Sequence, residues 1–323
     1  MDTRPVSTHR FSEDIISRVR QCAQIDNWHG PLELLGDWLL IAAAITVSCL
    51  SFRHLNFLLG VVIYAVAIFL IGGRQRALAD ILHQASHHTL MSNRKLGKML
   101  GTLFAGYLVL QSYSGYWHTH VYFHHRSLGD PVMDPDYVQY QRNNLCRENL
   151  RRSVLIRYLR SLCGLRANVS YVRYLFRDRM WNLHESRGER WFRIFYYILI
   201  CVIATYYHLW MYLGLYWFLP LVTTQAWIGA LLELTEHYPM IETAPRVDIY
   251  LSRNRECGWI GNFLLGVQQQ EGYHLVHHRF PYVPRWRYHE VHLLLMEDRE
   301  YASLHEGKGW PALVRSMLAA VPE

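Results

Sequence analysis

Eleven of the nineteen histidines in this sequence stand in four tight groups. They are His83, His87 and His88; His118, His120, His124 and His125; His237 alone in Glu236-His237-Tyr238; and His274, His277 and His278. Imidazole is the commonest protein ligand for first-row transition metals, and an ordinary core has no need for so many polar rings side by side. On an α-helix, residues i and i+4 share a face. His83 therefore projects with His87, and His120 with His124, while His274, His277 and His278 at i, i+3 and i+4 can converge. Nine rings can then meet in one volume: His83, His87, His120, His124, His125, His237, His274, His277 and His278. One ion cannot use nine ligands. Two ions with four or five each can, with positions left for dioxygen or water. His88, at i+5 from His83, and His118 are surplus and are expected around the ligands or at the surface. A ligating histidine usually donates its other N–H to a carboxylate or carbonyl. The acids placed to accept are Asp80, Asp130, Asp134, Asp136, Glu233, Glu236 and Glu271.

The elements that must hold these rings are apolar. Hydrophobic residues make up 51% of the 323 residues and charged residues only 18%, below the quarter usual for soluble domains. Leu34 to Leu50 carries one charge, Asp37. Leu55 to Gly73 and Ile194 to Leu232 carry none, and Pro220 interrupts the latter. About 20 such residues cross a bilayer core. The sequence thus predicts an all-α integral membrane bundle with four spans near 34–52, 55–73, 192–210 and 213–235. A cytoplasmic helical cap formed by 74–191 and 236–323 would hold the dimetal site. Residues 1–33 read as a cytoplasmic N-terminal segment and 34–323 as a single domain. The Gly-rich stretch 99–117 is expected to enter the membrane partway or to pack within the bundle. No Pro or Gly follows Gly73 before His88, so the second span should run on as one helix. His83 would lie roughly 18 Å beyond Ile71 at helical rise.

Orientation follows from Lys and Arg. All 33 except Arg53 and Arg193 fall in 1–33, 73–190 and 236–323. Both termini and every histidine group are therefore expected on the cytoplasmic side, in the inner membrane if the source is bacterial. The net charge of +7 is this surplus, and no motif for nucleic acid accompanies it. The polar start argues against a cleaved signal peptide. Six scattered cysteines without a Cys-x-x-Cys pair read as reduced thiols. Residues 11–25 read as an amphipathic helix capped by Ser12 and able to lie on the membrane surface. The basic segment 142–179 fits anionic lipid, or an acidic electron-transfer protein. A histidine-rich transporter or sensor fits less well, because transporters place ligands at mid-membrane in broken helices.

The spacing His-x3-His, His-x3-His-His and His-x2-His-His across four apolar spans resembles the integral-membrane fatty acid desaturase and hydroxylase superfamily, over roughly residues 34–292. His124-His125-Arg126 through Asp130-Pro131 and Asp134-Pro135-Asp136 resembles the stretch after the second box of bacterial members. Tyr273-His274-Leu-Val-His277-His278 with Pro281, Val283 and Pro284 resembles the third box and its tail. Glu236-His237-Tyr238 is similar to a motif of the membrane alkane monooxygenases. The resemblance implies two iron ions on the nine histidines and oxygen-dependent attack on an unactivated C–H bond. The outcome would be desaturation of an acyl chain or amphipathic metabolite, with hydroxylation as the alternative. No fused electron carrier is recognisable, so a separate ferredoxin-, rubredoxin- or cytochrome b5-type donor with its reductase is expected. The chain departs from relatives at Gln268-Gln269-Gln270-Glu271-Gly272, where Asn-x-Pro is common. That run bears on the floor of the substrate pocket.

Overall fold

The computed structural model describes residues 6–162, 164–255, 258–267, 270–305 and 309–323. Cys163, Cys257, Gln268 and Gln269 lie outside them. Among the described residues every regular element is helical, with one isolated bridge between Ser7 and Val247. The cysteines at 22, 49, 146 and 201 are free.

Helix α1 (Glu13–Gln21) begins at Ser12, whose side chain accepts the N–H of Ile15. Its apolar face does not lie on lipid. Ile15 and Val19 pack with Phe11, Leu275, Phe280, Val291 and Leu295, tying the N-terminal segment to the third histidine group.

Helices α2 (His29–His54) and α3 (Phe57–Ser86) form an antiparallel hairpin around Asn56, which caps α3 by accepting from Leu59 N. The outer faces are apolar and bare: Leu35, Leu39, Val47, Leu58, Val62 and Val66 are all exposed, as expected of surface meant for lipid. Asp37, the single charge within the first predicted span, is buried and meets Arg74 at 3.3 Å, since a charge at such a place needs a partner. From Ile71 onward α3 changes character. Its residues from Ile71 to Ser86 are almost all buried and include Arg74, Asp80 and Gln84. The helix therefore passes unbroken from an exposed apolar half into a buried half, continuous past Gly73 as the sequence predicts. Gly72 makes this possible: a Cβ there would stand 1.9 Å from Thr224 Oγ1, and Thr224 donates to Ile68 O at 2.9 Å.

Among the described residues, three stretches are long and apolar enough to cross a membrane: His29–His54, Phe57–Ser86 and Trp210–Thr243. Helix α4 (Arg94–Leu103) precedes a broken segment. There a 3-10 turn, Gly106–Val109, ends at Leu110 in the left-handed region. Its carbonyls are met by side chains from the surrounding helices. Trp38 donates to Phe104 O (3.0 Å), Tyr196 to Leu103 O (2.7 Å), Tyr197 to Tyr107 O (2.5 Å) and Trp217 to Leu108 O (3.0 Å). Backbone freed from a helix away from water requires such donors. The stretch 99–117 is thus packed within the bundle.

Helix α5 (Tyr113–Tyr116) runs directly into a π-helix, Trp117–His124. Helices α6 (Pro135–Arg142), α7 (Arg152–Leu162) and α8 (Leu165–Tyr174) follow. Arg151, Arg157, Arg160, Arg166, Arg173 and Arg177 remain exposed, but Arg179 turns inward and is buried. Helix α9 (Arg187–Tyr206) starts and ends earlier than the predicted third span. Its first turns carry Arg190 and the fully buried Arg193, both bonded to Glu185. Its later residues expose Phe195, Ile198, Val202 and Ile203. His208 in the left-handed region reverses the chain into α10 (Trp210–Leu213). Two π-turns flank Pro220 on the way to α11 (Ala226–His237). A proline without an N–H inside a helix favours such widened turns.

Candidate metal centre

Four elements deliver the nine rings to one place. The C-terminal end of α3 carries His83, and His87 is its C-cap. The π-helix carries His120 and His124, with His125 just beyond it. The end of α11 carries His237, and a short helix, His274–Arg279, carries the last three. The rings sort into two adjacent foci. In the first, ring nitrogens of His83, His87, His120, His125 and His277 all lie within 4.8 Å of one another. His277 Nε2 stands 2.9 Å from His83 Nε2 and 3.0 Å from His125 Nε2, and His125 Nε2 stands 3.2 Å from His120 Nε2. The second gathers His124, His237 and His278 in the same way. His274 joins it, with its Nε2 3.1 Å from those of His237 and His278. His125 and His278 stack at 4.3 Å between centroids, where the two foci touch.

The π-winding decides this sorting. His125 N–H donates to His120 O, five residues back, so His120 and His125 point the same way. His124 turns to the other focus. An α-helix would have paired His120 with His124, as the sequence analysis expected. Likewise His274 and His278 at i, i+4 stay together, while His277 faces the first focus.

Each orienting partner leaves a nitrogen lone pair pointing inward. His83 Nδ1 donates to Asp80 (3.1 Å), His124 Nδ1 to Asp134 (2.9 Å) and His237 Nδ1 to Leu251 O (2.9 Å). His277 Nδ1 meets the Tyr288 hydroxyl at 2.9 Å. Burial holds His87, His120, His125, His274, His277 and His278 well below the usual imidazole range, in the neutral form that ligates. For His124, burial acts in the same direction but the Asp134 and Asp136 carboxylates outweigh it, raising it to about 9 in the metal-free protein.

The donor set fits metal ions. Nitrogens each about 2.1 Å from one ion and about 90° apart lie roughly 3 Å from each other, as these do. Lone pairs facing at such distances repel unless a cation stands between them. His87 Nε2 is buried without a hydrogen-bond partner, although its ring lies 4.7 Å from that of His277 and 4.8 Å from that of His125.

The other predicted residues fall in varied places. His88 is exposed with φ 61°. His118 bonds Ser114 O and stacks on His184, away from both foci. Asp134 is fully buried, supports His124 and caps α6. Asp130 instead accepts from Val132 N and Met133 N, shaping its own loop. Glu236 bonds Arg255 (2.9 Å) and approaches His274 at 3.5 Å. Glu271 bonds Arg76, and Glu233 accepts from Tyr171 (2.7 Å); neither bonds a clustered histidine among the described residues. Sequence reasoning missed Tyr288, the Leu251 carbonyl, Arg285 (which bonds both Glu33 and Asp80), Arg76 and Arg179. Of these only Arg76 carried a signal, seven residues before His83 on the same helical face.

A small cavity of about 40 Å³ abuts His83, His120 and His274. A larger open groove of about 1060 Å³, lined in part by Arg74, Arg255 and Gln270, reaches Gly272 and Tyr273 beside the third group.

The sequence profile described as fatty acid desaturase matches residues 28–310. The dihydrorhizobitoxine desaturase of Bradyrhizobium elkanii is 31% identical over 304 residues, covering 91% of this chain and 83% of that protein.

Proposed function

We infer, for a chain that belongs to the fatty acid desaturase family and is a membrane desaturase, that its nine convergent histidines hold two iron ions. Five rings would serve one ion and four the other. The observation that carries this is the sorting of the ring nitrogens into two adjacent foci, each at ligand spacing. Bound there, iron supplies the redox chemistry that couples reduction of dioxygen to oxidation of an unactivated C–H bond. In the overall balance a substrate CH2–CH2 unit loses two hydrogens and becomes CH=CH. Dioxygen takes these, with two electrons from an external donor and two protons from solvent, and leaves as two waters.

The protein's own groups do the positioning. Asp80, Asp134, Tyr288 and the Leu251 carbonyl fix ring orientation and keep the inward nitrogens unprotonated. Burial of the foci excludes bulk water. The name of the B. elkanii relative favours desaturation over hydroxylation. The exposed apolar face of α9 supports a fourth span beside the three long apolar stretches. The Lys and Arg distribution supports a cytoplasmic cap. Exposed arginines of α7 and α8 there would receive an acidic ferredoxin-like donor. With iron, dioxygen and a reducing system, product mass should fall by two hydrogens. A product that gains one oxygen, with no alkene formed, would replace this reading by hydroxylation.

A further inference from the structure

Dioxygen leaves the reaction as two waters, so protons must reach oxygen atoms at a centre that burial closes to bulk solvent. The cavity of about 40 Å³ is placed to receive them. It touches rings of both foci, His83 and His120 of one and His274 of the other. It has room for a few water-sized molecules.

The carboxyl groups of Asp80, Asp136, Glu233, Glu236 and Glu271 line it. Four of these are tied to guanidiniums. Asp136 bonds Arg179 (2.5 Å), Glu236 bonds Arg255 (2.9 Å), Glu271 bonds Arg76, and Asp80 bonds Arg285. Taking up a proton would cost each of them its ion pair. Glu233 differs. Among the described residues its side chain bonds only the Tyr171 hydroxyl, at 2.7 Å. A carboxyl and a phenol keep their hydrogen bond in either state, the phenol donating to a carboxylate or the carboxylic acid donating to the phenol. Glu233 can therefore hold and release a proton without breaking an ion pair.

Both sides of Glu233 suit a relay. Towards the foci, Gln111 Oε1 and Glu271 Oε2 are buried without a partner, and both side chains line the cavity. Such acceptors anchor ordered water, which would carry a proton from Glu233 across the cavity. On the other side, Tyr171 belongs to α8, whose Arg166 and Arg173 are exposed. A hydroxyl both donates and accepts, so Tyr171 can pass one proton inward as it takes another from the solvent side.

Resting on the desaturase reading, we propose that Glu233 is the acid that supplies protons to dioxygen as it is reduced in this cavity, and that Tyr171 refills it. In each transfer the Glu233 O–H bond breaks and an O–H bond forms on the oxygen that leaves as water. The carboxylate left behind takes the Tyr171 proton, and the phenol takes one from solvent. The electrons are those of the external donor, so the step adds no reactant to the overall balance.

The test uses iron-loaded protein in detergent. Infrared spectra of the resting protein in H2O and D2O should show a carboxylic acid C=O band that shifts in D2O and is missing from Glu233→Gln. Should Glu233→Gln fail to fold, Glu233→Asp carries the same reading, its band moving instead of vanishing. Dithionite-reduced protein is then mixed with dioxygen and its reoxidation followed in both solvents. Glu233→Gln should slow reoxidation about 100-fold, as for a missing general acid, with metal content and thermal midpoint unchanged. Glu233→Asp should recover most of the rate, and Tyr171→Phe should slow it less while enlarging the solvent isotope effect. An infrared spectrum that neither Glu233 variant alters, or reoxidation of Glu233→Gln at the parental rate, would overturn the proposal. Parent protein that holds its metal yet never reacts with dioxygen would refute the desaturase reading itself, and this proposal with it, whatever the infrared band.

Discussion

Asp134→Asn separates the support of one focus from the rest of the fold. Asp134 is fully buried. One oxygen holds His124 Nδ1 at 2.9 Å and Asp136 N at 3.0 Å, and the other accepts from Gly129 N at 2.9 Å. Asparagine caps a helix as well as aspartate and can still accept through one oxygen, so α6 and its loop should persist. What disappears is the negative charge behind His124, together with the certainty of its tautomer. Losing such a partner lowers metal affinity about 10- to 100-fold, or roughly 1.4–2.8 kcal/mol at 1.4 kcal/mol per decade. The loss should be confined to the focus of His124, His237, His274 and His278. Competition against chelators of graded affinity, on reduced protein, resolves two classes of ion. In Asp134→Asn one class should weaken within that range and the other should not. Asp130→Asn is the control, because Asp130 serves only its loop, and both classes should match the parent. Equal weakening of both ions, or equal effects of the two variants, would refute the assignment of Asp134 to one focus.

Other outcomes follow from the same geometry. His87→Ala should cut bound metal at the first focus and His237→Ala at the second, each abolishing turnover, while His88→Ala and His118→Ala retain both ions by metal analysis. Arg285→Met should lower the unfolding free energy by about 3–5 kcal/mol in denaturant titrations, because it strands the buried Glu33 and Asp80 carboxylates. In intact cells carrying a cysteine-free background, a membrane-impermeant thiol reagent should label His54→Cys and spare Arg160→Cys; labelling of position 160 from outside would invert the orientation. Reduction by an acidic ferredoxin-like donor should slow as salt rises, since steering is screened over about 10 Å at 0.1 M, and an unchanged rate would move the docking site off α7 and α8.

Much of the scaffold was legible because it rests on composition and local periodicity. The apolar runs, the continuation of α3 past Gly73 and the pairing of His83 with His87 follow from helical geometry and the absence of breakers. The partition of the rings was not legible. It depends on the π-winding of Trp117–His124, which rotates His125 beside His120 and His124 away, and no residue pattern specified that winding. Asp134 could be named from sequence because it sits near its histidine. Asp130 could not be told apart from it, since the two occupy the same loop and only geometry decides which faces inward. Tyr288 and the Leu251 carbonyl come from elements distant in sequence, and a backbone carbonyl leaves no trace in residue type. The same holds for 99–117. Its break at Leu110 is stabilised by Trp38, Tyr196, Tyr197 and Trp217, donors that only the packed bundle brings together.

The central claim is that nine histidines hold two ions in unequal sets of five and four. Iron analysis and Mössbauer spectroscopy of protein expressed in iron-replete cells test it most directly. Two irons per chain in two distinct nitrogen-rich environments, falling to one on His237→Ala, is the expected result. One iron per folded chain with all nine histidines intact would contradict it.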